Sequence, residues 1–254
     1  MKREVLLDAV AGFGSATGLA GRSVRAFFAA PIEWRPVIAQ MDTAGIGSWS
    51  VAVLALTSTG MSLALQFAHG LEPYGASLYT GKLASLGVVR ELAPLLTALL
   101  VGGRVGSGYA AELGSMVVNE QIDAMRALGA DPIKKLVAPR VVACTLMMPL
   151  LVMLADVVGV LGAGVVTTGE VGITWKFFFN QLMDTLWASD LLHGLLKSVV
   201  FGFIIGVTGC WVGLSARGGT EGVGLATARA VVVGAISLLL GGLFLTKLLI
   251  AVYA

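Results

Sequence analysis

Residues 88–140 decide the fold: VVRELAPLLTALLVGGRVGSGYAAELGSMVVNEQIDAMRALGADPIKKLVAPR. The run from Leu92 to Gly103 carries no charge, and the sequence becomes polar after Met116. It returns to apolar residues at Val141. An apolar helix followed by a charged segment and then by a second apolar run predicts a membrane protein with a contact surface on one side of the bilayer.

The polar part of this stretch predicts a short amphipathic helix at about 117–129. Its apolar face comes from residues three apart, Ile122, Met125 and Leu128. Gly129 and Pro132 are expected to end it. The alternative is a solvated charged loop. The short, sharply ended apolar face favours a helix that inserts into the groove of a partner protein.

The composition is that of a membrane protein. Hydrophobic residues make up 57% of the 254 residues and charged residues only 13%, whereas soluble proteins carry roughly 25% charged residues. The mean hydropathy is +0.89. The net charge of +2 and the lack of a basic cluster among exposed aromatics argue against nucleic acid as a partner.

Five apolar segments are long enough to cross a bilayer, which predicts an all-α integral membrane protein. They lie at about 44–68, 86–111, 141–166, 191–214 and 230–252. The aromatic-rich residues 167–190 suit an external interfacial loop. Residues 1–40 predict a helix lying in the membrane interface, with a soluble amphipathic helix docked on a partner as the alternative. The domains are therefore an N-terminal region, 1–40, and a transmembrane domain, 41–254.

The positions of Lys and Arg predict the orientation. They concentrate in residues 1–40, in 117–140 and in 215–229, and they are sparse in the other loops. The positive-inside rule therefore predicts that the N-terminus, the 117–140 loop and the 215–229 loop lie in the cytoplasm.

No catalytic residue, cofactor or metal site is expected. The run Gly75-x5-Gly81-Lys82 has one residue too many for a P-loop, and Leu83 stands where a Ser or Thr must contact magnesium. His69 and His193 are far apart and form no ligand set with the cysteines. Cys144 and Cys210 are expected to be buried small hydrophobes. Any ATP hydrolysis must come from a separate subunit.

Charged residues at membrane depth are the main functional candidates. Arg90 and Glu91 are adjacent, and such residues usually face a cavity or each other; the alternative is that they mark the outer end of the second span. Arg104 and Glu112 share one helix face and are expected to pair with neighbouring helices. Asp156 and Lys247 are single charged residues within apolar runs, and the sequence indicates no specific role for either. The Gly-x3-Gly spacings at 102–106 and 202–206 predict close helix contacts and give weak evidence for a dimer.

Several motifs resemble the MlaE/YrbE permease family of lipid-moving ABC transporters. They are VRELAPLLTALLVGGRVGSGYAAELG and EQIDAMRALGADPIKKLVAPR, with GMSLALQ at 60–66, LLKSVVFG at 195–202 and EGVGLATARAVV at 221–232. The resemblance covers nearly the whole chain after about residue 40. The chain departs from some relatives in having no acidic residue around Gly241–Gly242.

The resemblance implies two sets of site residues. Those matching the family's lipid cavity are Arg90, Glu91, Lys197, Leu63, Gln66, Tyr74 and Leu92. For the last four, ordinary helix packing is an equal alternative. The segment at 117–129 would be the coupling helix that docks on the ATPase. Its polar contacts would come from Glu120, Gln121, Asp123 and Arg126, with Ile122 and Met125 buried beneath them.

The resemblance also implies the function and the partners. The chain would be a homodimeric permease in a bacterial inner membrane, working with an ABC ATPase, a STAS-domain protein and a periplasmic MCE-domain protein. It would move phospholipid to maintain outer-membrane asymmetry. The competing hypothesis is a self-contained channel or secondary transporter, which predicts internal symmetry or paired ionisable residues near the midplane.

Overall fold

The structure, a computed structural model, describes residues 14–15, 17–23, 25 and 34–253. Most of the predicted interfacial helix at 1–40 lies outside these residues. The described residues contain helices and turns but no β-strand. The α-helices are α1 (Trp34–Gly45), α2 (Trp49–Leu71), α3 (Thr80–Gly87), α4 (Ala93–Val101), α5 (Ser107–Val118), α6 (Gln121–Ala127), α7 (Ala138–Glu170), α8 (Trp175–Thr185), α9 (Ala188–Leu214) and α10 (Gly219–Tyr253).

Shorter helical turns join several of these helices. Turns of 3-10 helix lie at Glu72–Tyr74 and Ser77–Tyr79. Turns of π-helix lie at Val88–Leu92, Gly102–Gly106 and Ile133–Val137. The π-turns run directly into α4, α5 and α7. The first two are wide turns between helical segments, and the third forms the beginning of the α7 helix.

Five segments of the described chain are long and apolar enough to cross a membrane, which confirms the predicted all-α fold. They are Trp34–Tyr74, Ser77–Val118, Ile133–Glu170, Ala188–Leu214 and Gly219–Ala251. Most extend beyond the predicted apolar runs, because helical hydrogen bonding continues into the flanking polar residues.

The predicted loop at 167–190 contains a helix instead, α8. The Thr174 hydroxyl caps it by accepting the N–H of Phe177 at 3.3 Å. Phe178 is 1% exposed and belongs to a hydrophobic core, and the Gln181 side chain donates to the carbonyl of Leu78 at 2.9 Å. Aromatic residues that suggested an interfacial loop therefore anchor this helix on the residues around α3.

The described chain forms two compact units, each built from separate segments. The first contains residues up to 44, 101–146 and 202–237, and the second contains 45–100, 147–201 and 238–253. In the first unit, α9 packs closely on α7, because a Cβ atom on Gly206 would lie 2.7 Å from the Cα of Val141. Gly202 similarly meets the backbone of Cys144. The 202–206 motif thus makes a contact within one chain.

In the second unit, α2 and α7 cross at glycines. A Cβ atom on Gly60 would overlap the carbonyl oxygen of Gly159 and lie 2.9 Å from its carbonyl carbon. Beside this crossing, Leu56, Val88, Val89 and other buried residues form a hydrophobic core. This core holds the π-turn at Val88–Leu92 in place.

We expect Gly60→Ala to destabilise the protein, because the added methyl group would push α2 away from the α7 backbone. Overpacking of this kind costs roughly 1–3 kcal/mol, and it should lower the melting temperature of the purified protein. The matched control is Gly70→Ala in the same helix, where an added Cβ meets no described atom within 4 Å. Equal melting temperatures for the two variants would contradict the close crossing.

Candidate functional site

The candidate site begins at the π-turn Val88–Leu92. Val88 and Val89 are 0% and 1% exposed and fix the turn in the core. The next two residues, Arg90 and Glu91, have half-exposed side chains. The Ala93 N–H bonds to the Val88 carbonyl five residues back, which defines the wide turn. Single π-turns occur frequently at functional sites.

Glu91 is paired with a buried cation from α9. Lys197 Nζ donates to Glu91 Oε1 at 2.6 Å and to the carbonyl oxygen of Arg90 at 2.9 Å. The Lys197 side chain is only 4% exposed. The hydroxyl of Thr246, on α10, donates to Glu91 Oε1 at 3.0 Å. The carboxylate therefore holds together residues from three segments of the second unit.

Arg90 is paired with a buried anion at the start of α9. Its Nε donates to Asp190 Oδ1 at 2.7 Å, and an Nη group also contacts that oxygen. The second Asp190 oxygen accepts the backbone N–H of Trp187 at 3.0 Å, as a capping residue does at a helix N-terminus. Asp190 thus caps α9 and orients the guanidinium at the same time.

Arg90, Glu91 and Lys197 line a cavity of about 310 Å³ in the second unit, and Asp190 holds Arg90 from behind. Its polar side is formed by Arg90, Glu91, His193, Lys197 and Thr246, and its apolar side by Leu86, Leu249 and Ile250. A volume of this size lies at the lower end of small-molecule sites. The cavity therefore suits a charged group carried on an apolar body.

Three of the seven predicted cavity residues line the cavity, and the other four do not. Arg90, Glu91 and Lys197 form the ion-paired site described above. Leu63 and Leu92 are half-buried and pack against the core. Gln66 and Tyr74 are exposed, Tyr74 by 82%, and neither lines the cavity.

Sequence reasoning missed Asp190, His193 and Thr246. Asp190 stands seven residues before Lys197, a spacing that places both on one helix face. It also lies just ahead of an apolar run, where a carboxylate caps a helix. These two signals could have identified Asp190. Thr246, a hydroxyl residue within an apolar run, carries no comparable signal.

The predicted short amphipathic helix is present as α6, but it is shorter than the predicted 117–129. Val117 and Val118 belong to α5, and the chain turns at Asn119 and Glu120 before α6 begins. Glu120 has a φ of 57° and is the one described residue other than glycine with a positive φ. Such backbone strain concentrates at functional sites.

The C-terminal end of α6 has the form predicted from Gly129. Gly129 has a φ of 75°. Its N–H bonds to the carbonyl of Arg126 at 3.0 Å, and the Ala130 N–H bonds to that of Met125 at 3.0 Å. This pair of bonds is the Schellman motif, which stops a helix sharply.

The side chains of α6 divide into a buried and an exposed set. Ile122 is 3% exposed, as predicted, whereas Met125 is only half-buried and Leu128 is 85% exposed because the helix has already ended. Asp123 and Arg126 form an exposed ion pair at 2.9 Å, and Gln121 is also exposed. The helix therefore presents polar groups above an apolar anchor.

Glu112 pairs with a neighbouring helix, as predicted. Its Oε2 lies 2.7 Å from Nη2 of Arg140, whose side chain is 7% exposed. Arg140 also donates to the Leu136 carbonyl at 2.8 Å and lies over the ring of Tyr109. These contacts join α5 to α7 within the first unit, so they are structural.

Other residues singled out in the sequence lie apart from the site. Cys144 and Cys210 are buried, as predicted. Asp156 is 5% exposed, and its carboxylate accepts no hydrogen bond in the described part of the chain. Lys247 is exposed.

A larger cavity, of about 620 Å³, lies in the first unit beside the end of α6. Arg22, Arg126 and Asp131 line it together with Trp211. Arg22 and Arg126 are exposed side chains there, in contrast to the buried Lys197 that lines the smaller cavity. Buried charges need specific partners, so the smaller cavity is the better candidate for a built ligand site.

Comparison with known proteins decides the family. The family model described as Permease MlaE matches residues 37–248. The chain belongs to the MlaE permease family. It is 40% identical to a probable ABC transporter permease protein of Synechocystis over 218 residues, which cover 86% of this chain and 83% of the relative.

Two further relatives have names that refer to lipid. The MlaE permease protein of an intermembrane phospholipid transport system in Haemophilus influenzae is 32% identical, over 77% of this chain and 76% of its own length. The chloroplastic protein trigalactosyldiacylglycerol 1 of Arabidopsis thaliana is 35% identical, over 90% of this chain and 65% of its own length.

Membership in the MlaE family makes the chain a multi-pass permease of an ABC transporter. Its relatives are permease subunits and not enzymes. This result favours the ABC permease over a self-contained channel or secondary transporter, and an ABC permease implies an ATPase partner.

Proposed function

We propose that the chain is the permease subunit of an ATP-driven transporter that moves phospholipid between the inner membrane and an MCE-domain partner. The observation that carries this proposal is the cavity in which the two ion pairs meet apolar side chains. Arg90 and Glu91 offer charge to a headgroup, and Leu86, Leu249 and Ile250 offer apolar surface to the start of the acyl chains. The resulting function is the maintenance of outer-membrane lipid asymmetry.

A homodimer would complete the lipid site. The described chain leaves large apolar side chains of α10 exposed, among them Leu240 at 65%, Leu243 at 73% and Phe244 at 67%. These residues precede Thr246, Leu249 and Ile250 of the cavity on the same helix. A second copy packed on this face would enclose the cavity. In that arrangement Leu63, Gln66, Tyr74 and Leu92 are the further candidates for lipid contact.

The ATPase would dock on α6. This helix is anchored by Ile122 and Met125 and displays Glu120, Gln121, Asp123 and Arg126. Nucleotide-driven closure of the ATPase subunits would move α6 and, through it, the permease. The positive-inside rule places α6 and the N-terminus in the cytoplasm, with the MCE-domain protein on the periplasmic face and a STAS-domain protein beside the ATPase.

The test is purification of the whole transporter after co-expression of the chain with its candidate partners. We expect the ATPase to co-purify and organic extraction to release phospholipid from the complex. The double variant Arg90→Gln with Asp190→Asn removes the cavity's exposed cation together with its buried partner and should reduce the bound phospholipid severalfold. Lys176→Gln, on the exposed face of α8, serves as the control. ATP hydrolysis or ion flux by the chain alone in liposomes would overturn the proposal.

A further inference from the structure

The two ion pairs of the cavity have the same unequal construction. In each pair one member is buried and the other is half-exposed. Asp190 is 1% exposed and its partner Arg90 is 50% exposed. Lys197 is 4% exposed and its partner Glu91 is 46% exposed. The four charges sum to zero, and the exposed cation and the exposed anion are adjacent in sequence.

The buried members are already committed to partners in the protein. Lys197 Nζ binds Glu91 and the Arg90 carbonyl, and Asp190 binds Arg90 and the Trp187 N–H. Their positions fix the exposed groups, which keep spare hydrogen-bonding capacity. The guanidinium has five N–H donors and the carboxylate about four acceptor sites. A ligand therefore meets one cation and one anion, held side by side.

We propose that this cavity selects a zwitterionic phospholipid whose headgroup ends in a primary ammonium, as in phosphatidylethanolamine. This inference rests on the proposed function of the site. The phosphate would accept hydrogen bonds from Arg90, and the ammonium would donate to Glu91. Guanidinium groups suit phosphate oxygens, and charge-assisted hydrogen bonds of both kinds are stronger than neutral ones.

Other headgroups match this arrangement less well. An anionic glycerol headgroup has no cation for Glu91 and brings its own negative charge close to that carboxylate. A choline headgroup carries a positive charge but has no N–H to donate. The other polar groups that line the cavity are His193 and Thr246, and the single hydroxyl proton of Thr246 already has the Gly242 carbonyl at 2.9 Å and Glu91 Oε1 at 3.0 Å as acceptors.

The first measurement uses the wild-type complex and needs no variant. Lipid bound from an equimolar mixture of phosphatidylethanolamine, its N-monomethyl and N,N-dimethyl derivatives, phosphatidylcholine and phosphatidylglycerol is quantified by mass spectrometry. We expect ethanolamine lipid to exceed glycerol lipid about tenfold, the effect of one charge-assisted hydrogen bond. Retention should fall along the methyl series, with the sharpest drop where the last N–H is lost.

Two paired substitutions then assign the roles of the charges. The double variant Glu91→Gln with Lys197→Gln removes the anion and its buried partner at constant net charge. It should abolish the preference for ethanolamine lipid without changing the total amount of phospholipid bound. Arg90→Gln with Asp190→Asn should lower the binding of every headgroup. Lys176→Gln should change neither quantity.

The outcomes separate this inference from the function on which it rests. Equal binding of the five lipids by the wild-type complex, or enrichment of the glycerol lipid, would overturn the headgroup selection and leave the lipid permease intact. Failure of the complex to retain any phospholipid would overturn both.

Discussion

Glu91→Ala is expected to destabilise the protein strongly. The Lys197 side chain is only 4% exposed. Without Glu91, the carbonyl of Arg90 would be the remaining hydrogen-bond acceptor of its ammonium group within the described residues. Removing one partner of a buried ion pair costs roughly 3–5 kcal/mol, because the remaining charge is buried without compensation. We expect about 3 kcal/mol here, since the half-exposed position of Glu91 lets some water reach the gap.

Thermal unfolding of the purified chain in detergent or nanodiscs measures this effect. The matched control is the double variant Glu91→Gln with Lys197→Gln, which removes both charges and keeps similar side-chain volumes. Replacing a buried ion pair as a unit is often nearly neutral, so the double variant should melt close to the wild type. A single variant as stable as the wild type would show that Lys197 is hydrated or paired with a group outside the described residues.

The membrane spans could be predicted from sequence because hydropathy and length determine them together. Their ends could not, because hydrogen bonding carries a helix past its last apolar residue. The second span was predicted from residue 86, but the helical segment begins at Ser77. Helix α8 was missed for a different reason. Trp175, Phe177 and Phe178 are residue types common both at a membrane interface and in a core, and only packing distinguishes the two settings.

The site was predictable where charge stood out against an apolar background. Arg90 and Glu91 could be singled out because buried charge is costly in a membrane, and Lys197 because it lies in a motif that resembles the family. Asp190 was harder to single out, because a carboxylate near a helix N-terminus is common whether or not it faces a site, and only its seven-residue spacing from Lys197 sets it apart. The π-turn that presents Arg90 and Glu91 side by side depends on the tertiary packing of Val88 and Val89. No periodicity of apolar residues in the sequence indicates this turn.

Reversing the charges of α6 is expected to uncouple the transporter from its ATPase. Asp123 and Arg126 are 72% and 64% exposed, and their mutual ion pair contributes little to folding. Both groups can therefore exchange partners with a docking protein. We expect Asp123→Lys or Arg126→Glu to lower the ATPase recovered with the permease and the ATP-dependent lipid transfer at least tenfold, the scale of a lost interfacial charge pair.

A charge swap distinguishes docking from helix stability. The double variant Asp123→Arg with Arg126→Asp restores an ion pair within α6 and keeps the net charge, but it reverses the pattern shown to a partner. If α6 docks through these charges, the swap should fail as the single reversals do, while the melting temperature and the bound phospholipid stay near wild type. If the swap restores coupling, the charges act only within the helix and the ATPase must contact another surface. Lys176→Gln should leave both ATPase recovery and lipid transfer unchanged.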